Sequence, residues 1–341
     1  MIFKRVLLRL CFITVKVVFL TVLVYMYFYL KSIIYKSAYY NSLLKSIGSA
    51  SSFNRLSKYV KANLTDISLS DMKSNLEIPD PMLVEFNDWI QYRTSPECGN
   101  YTMVVMVTSL PKNKYRRDSI RQTWGRGWHG NVEIPTYKTI FQLGSSPRES
   151  EYKLTMKEYL SNRDMLIGSF TDSFYNLPIK VMMGFKWASS NCKFKYLFKV
   201  DDDVFVHVPR AFEYLSQWYI PSKRLYTGKV QQTPEVQRGG KYKITEEEYP
   251  LRFYPQFVSG GGIILSPDVV EAMVKKFNIS NFFKLDDVYL GMLALEIGVF
   301  PINEEAFNVW HKSSSCKCLD NEIVYHRVVY HNCVKKVYDC M

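Results

Sequence analysis

The sequence predicts an α/β layered domain with a mostly parallel sheet, preceded by a transmembrane helix. Strand-like and helix-like segments alternate from about residue 98 onward, the pattern of a parallel sheet with crossover helices. One long apolar stretch stands near the N-terminus and no second one follows.

Leu10 to Leu30 reads LCFITVKVVFLTVLVYMYFYL. At about 1.5 Å per residue it spans roughly the hydrocarbon core of a bilayer. Lys16 is near enough to one end to snorkel, and Tyr25, Tyr27 and Tyr29 suit the opposite interface. A cleaved signal peptide is the competing reading, but its apolar region usually runs only about 7–15 residues and ends in small side chains. Here the run ends in Tyr-Leu-Lys. Lys4, Arg5 and Arg9 precede it while Lys31 and Lys36 follow, a slight excess that favours a cytoplasmic tail at 1–9 and a lumenal body. Residues 31–97, rich in Ser, Asn and Lys, read as a stem.

In the body, Tyr101–Thr108 is an apolar strand between Gly-Asn and Leu-Pro. Tyr115–Trp124 reads as a helix, Tyr137–Leu143 as a strand, Glu149–Asn162 as a helix and Met165–Ile167 as a short strand. Pro178–Ser190 is a helix with proline in its first turn. Tyr196–Val200 is a strand running into DDDVFVHV. Gly262–Leu265 and Val299–Ile302 read as strands, Asp268–Phe277 and Asp286–Ile297 as helices.

The net charge is +12, from 44 basic and 32 acidic residues. No run of five Lys or Arg occurs and no nucleic-acid motif appears, so nucleic-acid binding is not expected. A basic balance suits an enzyme handling a diphosphate or one beside an anionic membrane, and charge alone does not choose. Cys98, Cys192, Cys316, Cys318, Cys333 and Cys340 lie beyond the apolar stretch, an even set that allows three disulfides. Cys316 and Cys318 are too close for the usual zinc-knuckle spacing. Sequons at Asn63, Asn100 and Asn278 fit the same oxidising, glycosylating compartment.

Four constellations carry candidate chemistry. In Lys199-Val200-Asp201-Asp202-Asp203-Val204-Phe205-Val206, apolar stretches flank three carboxylates. Burying such a cluster costs several kcal/mol per charge unless a cation compensates, and hard oxygens suit Mg²⁺ or Mn²⁺. Alternation places Asp201 and Asp203 on one side as a metal clamp. Read alone, the run is equally an exposed acidic turn. Arg117 and Arg121 share a helical face, suited to phosphate oxygens or to a solvated basic surface with Trp124 in the core. Ser259-Gly260-Gly261-Gly262 permits close approach of backbone to a ligand, or is an ordinary loop. Asp286-Asp287 opens a helix, as a dipole-favoured cap or as a catalytic pair.

Together RRDSIRQTWG, FTDSFYNLPIKVMMGFKWASSNC, KYLFKVDDDVFVHV, LYTGKV, YPQFVSGGGIILS and DDVYLG resemble, in order, the motifs of the β-1,3-galactosyltransferase and β-1,3-N-acetylglucosaminyltransferase family, to which the Fringe enzymes are related. The resemblance runs from about Cys98 to Pro301. It implies a GT-A type nucleotide-sugar-binding fold, a UDP-sugar donor, a glycan acceptor on glycoprotein or glycolipid, Mn²⁺, and inverting transfer to a β-1,3 bond, with galactose the expected sugar on family breadth alone and N-acetylglucosamine or N-acetylgalactosamine transfer, or a non-catalytic lumenal transferase-like partner, as the alternatives. It also implies a single-pass type II Golgi protein whose catalytic domain covers 98–341. Asp201 and Asp203 occupy the family's DxD positions, with Asp202 facing the donor. Asp287 matches the catalytic base and Asp286 the acidic residue before it. Arg117, Arg121 and Trp124 match the nucleotide-end motif, and Gly260 and Gly261 the sugar pocket. Relatives often supply a late histidine as a further metal ligand, and His311 is the candidate.

Overall fold

A computed structural model describes residues 91–127, 136–309, 316, 318, 321–326 and 331–340. The expected tail, the membrane span at 10–30, the stem up to residue 90 and His311 lie outside the described residues. Among the described residues no helix is long and apolar enough to cross a membrane.

The frame is an eight-stranded sheet. Its strands are β1 (Tyr92–Thr94), β2 (Asn100–Thr108), β3 (Tyr137–Ser145), β4 (Met165–Thr171), β5 (Lys193–Asp201), β7 (Tyr226–Gln231), β8 (Phe257–Leu265) and β9 (Ile302–Asn303), in the order β1-β4-β3-β2-β5-β8-β7-β9. A small sheet, β10 (Phe307–Asn308), β11 (Val324–His326) and β6 (Val204–Val206), lies beside it. The helices are α1 (Lys114–Gln122), α2 (Glu149–Asn162), α3 (Leu177–Asn191), α4 (Val208–Leu215), α5 (Pro267–Lys276), α6 (Asp286–Glu296) and α7 (His331–Tyr338).

An apolar run without alternation, such as Met103 to Val107, must be covered on both faces. Met103, Val105 and Val107 enter one core with α1, α4, α7 and the small sheet. Val104 and Met106 enter the other with α3, α5 and α6. Disulfides Cys98–Cys192, Cys316–Cys333 and Cys318–Cys340 complete the three expected bridges.

The expected mostly parallel sheet is in fact mixed. β4, β3, β2 and β5 pair in parallel, but β8 is antiparallel to both β5 and β7, and β1 is antiparallel to β4. The reason is connectivity. A parallel neighbour needs a crossover helix, and β7 reaches β8 through residues 232–256, which contain no helix. The Gly-rich segment is not a loop but the middle of β8. Of the expected strand Val299–Ile302 only Ile302 pairs, because α6 ends at Glu296, Gly298 follows in the left-handed region (φ 67°), and the chain needs residues to turn back.

Candidate functional site

β2 and β5 run side by side and end together, Thr108 opposite Asp201. Ligands of such sheets gather at the carboxyl ends of the strands, and three aspartates leave β5 there in three directions. Asp201 points back to Lys199, whose Nζ is 2.9 Å from its Oδ1. The same ammonium donates to the Gly260 carbonyl at 2.7 Å and lies 3.1 Å from Asp286 Oδ2. Lys199 is fully buried. Burial opposes its charge, but Asp201, Asp286 and Asp287 outweigh that and hold its pKa above the usual lysine range. Burial, opposed by Lys199 and assisted by Asp286 and Asp203, pushes the Asp201 carboxyl up to about 6.

Asp202 turns the other way, into the protein. Its Oδ2 accepts from Ser109 Oγ at 2.6 Å and Asn113 Nδ2 at 2.9 Å, and its Oδ1 from Arg116 Nη1 at 2.7 Å. In this structure Asp202 is turned inward and not toward the expected donor side: a buried carboxylate needs its charge-assisted bonds, and the turn after β2 and Arg116 of α1 supply them.

Asp203 faces His326. β11 pairs antiparallel with β6 so that His326 lies opposite Val204, the residue after Asp203. His326 Nδ1 is 2.9 Å from the Val309 carbonyl, and Nε2 is 3.5 Å from Asp203 Oδ1. A carbonyl only accepts, so Nδ1 carries a proton and the neutral ring turns an Nε2 lone pair toward the carboxylate. Two such acceptors repel unless a proton or cation lies between them. Burial lowers the imidazole pKa, yet Asp203 and Asp201 raise it further, above the ordinary value. A carboxylate beside an imidazole backed by a carbonyl is also how proteins present ligands to a borderline divalent metal. Among the described residues no three His, Cys, Asp or Glu side chains yet converge on a common point. As they stand in this structure, Asp201, Asp203 and His326 do not form such a group.

The second acidic pair opens α6. Asp286 is buried on Lys199. Asp287 accepts from its own helix at Val288 N–H, 2.9 Å, and from Gly260 N–H, 3.2 Å. Burial first and Asp286 next push the Asp287 carboxyl up to about 7, against Lys199 and the two N–H donors. A Cβ at Gly260 would sit 3.3 Å from Lys199 Nζ, a tight contact, and 3.6 Å from Asp287 Oδ2, an ordinary one. Gly261 instead backs onto Val309, where a Cβ would come within 2.9 Å of Cγ1. Its smallness serves packing against the small sheet.

Arg117, Arg121 and Trp124 do not line this mouth. Arg117 is fully buried, and its guanidinium donates to Glu158 Oε1 and Oε2, Ser109 Oγ and the carbonyls of Leu110 and Pro111. No N–H is left for a phosphate, since guanidinium has five. Arg121 is forked onto Asp164 at 2.8 and 2.9 Å, also meets Glu158 and Asp118, and lies over the Phe141 ring. Trp124 is a core residue. In this structure Arg117 and Arg121 hold α1 and α2 near the end of β2 and Trp124 packs in the core, in place of the nucleotide-end position expected of them. Arg117→Met should cost about 3 kcal/mol, because it takes from the buried Glu158 the fork on both its oxygens and leaves it to Arg121. Urea unfolding measures this, and a tenfold rise in donor KM with unchanged stability would restore the phosphate role.

Sequence reasoning missed Lys199, His326 and the group Ser109, Asn113 and Arg116. Lys199 left a signal: it is the charged residue in the apolar run FKV and lies two residues from Asp201, on the same strand face. His326 left none, because only the β11–β6 pairing brings it to Asp203.

At one end of the sheet, then, two carboxylate clusters meet at a single buried lysine. A family model described as galactosyltransferase matches residues 115–305, more than half of the chain, and the protein belongs to that family. It is 30% identical over 234 residues to lactosylceramide 1,3-N-acetyl-beta-D-glucosaminyltransferase A of Danio rerio, covering 65% of this chain and 61% of that one. Against the Homo sapiens lactosylceramide 1,3-N-acetyl-beta-D-glucosaminyltransferase the figures are 30% over 240 residues, 67% and 63%. Against beta-1,3-galactosyltransferase 1 of Mus musculus they are 29% over 229 residues, 66% and 70%. The chain thus spans a little over three-fifths of the length of the first two relatives.

Proposed function

We propose that this protein is a GT-A type enzyme that transfers a hexose, galactose in the first instance, from a UDP-sugar to the 3-hydroxyl of an acceptor glycan, with inversion, to form a β-1,3 bond. The family membership supports the reaction class. The observation that carries it is the division of labour at the sheet end. Asp201 meets Lys199 and Asp203 meets His326, while Asp287 is held apart from them on the Gly260 and Val288 N–H groups.

Asp201, Asp203 and His326 would hold Mn²⁺, which when bound neutralises charge on the departing diphosphate. Asp287 takes the proton of the acceptor 3-hydroxyl as that oxygen attacks the anomeric carbon. The new C–O bond forms as the bond to the diphosphate oxygen breaks, its electron pair leaving on UDP. One displacement turns an α-donor into a β-product. The Gly260 and Val288 N–H groups keep the Asp287 carboxylate aimed while leaving lone pairs for the hydroxyl. Asp286 acts through Lys199 as a positioning residue. N-acetylglucosamine is the second reading for the transferred sugar, favoured by the first two relatives' names.

The three disulfides suit a secretory lumen. With the apolar segment at 10–30 as a signal anchor, the reading is a type II Golgi membrane protein. The test is UDP release from a panel of UDP-sugars in Mn²⁺, with and without acceptor, followed by linkage analysis of the product. No release from any donor would refute it. His326→Ala should weaken Mn²⁺ binding about 10–100-fold, read by paramagnetic titration of free Mn²⁺. An unchanged affinity would remove His326 from the ligand set and return attention to His311.

A further inference from the structure

Residues 232–256, between β7 and β8, take no part in the acidic site itself. Through Val236, Ile244 and Tyr254 the segment packs on Phe257, Leu285 and Val288. Leu285 and Val288 are the residues directly flanking Asp286 and Asp287. Its outer end carries Lys241 and Tyr242. The Tyr242 ring meets Phe174 at 5.9 Å between centroids, and Phe174 meets Tyr175 edge-on at 5.7 Å. Lys241 Nζ lies 5.3 Å from the Phe174 centroid and 5.1 Å from that of Tyr242. Phe174 is half-buried against the same apolar cluster that carries Leu285 and Val288. Tyr175 and Tyr242 are 63% and 43% exposed.

The group has a second root. Asp172, two residues before Phe174, pairs with buried Lys180 at 2.7 Å. Lys180 also donates to the Ser109 carbonyl at 2.8 Å, and the Ser109 hydroxyl holds Asp202. The aromatic group is therefore fastened to both acidic clusters, to one through Asp172 and Lys180 and to the other through the start of α6.

Exposed aromatic rings fixed in place mark a binding surface. A tyrosine ring offers a flat apolar face with a polar tip. A hexopyranose is its counterpart, with C–H groups on one face and hydroxyls around the rim, and an ammonium beside the rings donates to those hydroxyls. A protein partner needs roughly 800 Å² from each side, far more than two tyrosine faces supply. We propose that Tyr175 and Tyr242, rooted on Phe174 and fronted by Lys241, form the platform on which a hexopyranose of the acceptor glycan stacks while its 3-hydroxyl is presented to Asp287. This rests on the transferase reading above.

The test uses the full chain in detergent with Mn²⁺, UDP-galactose and UDP-N-acetylglucosamine. Methyl β-galactoside, methyl β-lactoside and methyl N-acetyl-β-glucosaminide serve as acceptors. Tyr175→Ala and Tyr242→Ala should each raise acceptor KM about tenfold, the loss of one good ring contact. Donor KM and kcat should stay within twofold, and Tyr175→Phe should restore the acceptor KM. If the wild type transfers sugar but both alanine variants keep their acceptor KM, the platform is refuted. It is refuted too if donor KM rises in step with acceptor KM. If the wild type releases no UDP from either donor, the transferase reading fails, and saturation-transfer NMR of the same three glycosides then decides the platform without turnover. A signal lost in the alanine variants upholds it, and equal or absent signals in wild type and variants refute it.

Discussion

Replacing Asp287 by Asn should lower kcat about 10²–10⁴-fold, the range contributed by a positioned general base, with donor KM nearly unchanged. The amide keeps the size of the side chain but has a single acceptor oxygen, so it keeps one of the two N–H bonds that the carboxylate takes from Gly260 and Val288 on its two oxygens. What it loses is the ability to take a proton. The pH profile follows from the same geometry. Burial and Asp286 push the Asp287 carboxyl up to about 7, so its basic form grows as pH rises toward 7 and falls tenfold per unit below it. kcat/KM should therefore show an ascending acid limb that disappears in Asp287→Asn. The linked effect on stability has the opposite sense. A carboxyl with a raised folded pKa binds more protons folded than unfolded. Its contribution is greatest below the unfolded value near 4 and is lost as pH rises to about 7. Near-normal turnover of a folded Asp287→Asn would overturn the base assignment.

Lys199→Met should be the most destabilising single change at the site. The ammonium is fully buried and serves Asp201, Asp286 and the Gly260 carbonyl together. Removing one partner of a buried ion pair costs about 3–5 kcal/mol, because the other charge is stranded. The lysine itself should not titrate in the working range. Its pKa is held above the ordinary value, so its stabilisation is fully present below that value and is lost only in strong alkali. Without it, Asp201 and Asp287 lose the charge that opposes their raised pKa values and take up protons more readily. The variant should then gain stability as pH falls from about 7 to about 5, and its acid limb of kcat/KM should move to higher pH. Denaturant unfolding at two pH values and the rate profile check both. A stability within 1 kcal/mol of wild type, with an unmoved limb, would show that Lys199 holds nothing together.

Much of the fold was legible locally. Continuous apolar runs such as Met103–Val107 predicted strands buried on both faces, and the helix Glu149–Asn162 was placed to the residue. What failed depended on distant partners. β7 and β9 are short and weakly patterned, and α4 and α7 are single-face helices of eight residues, so their signals are slight until the sheet and core exist.

At the site, the amino-acid sequence determined which groups are present and their local order. It supplied a triplet of aspartates at the end of an apolar strand, a second pair at a helix start, and glycines where β8 passes beneath them. Those are properties of spacing along one segment. Only tertiary structure decided their direction. Sheet pairing brought Gly260 to Lys199, packing of α6 on β8 brought Asp286, and β11 brought His326 to Asp203. The turn after β2 drew Asp202 inward, and α2 drew Arg117 and Arg121 away from the mouth. A charged side chain goes to whichever opposite charge or dipole is close in space, and in this fold those partners lie between 41 and 123 residues away in Arg117–Glu158 and Asp203–His326.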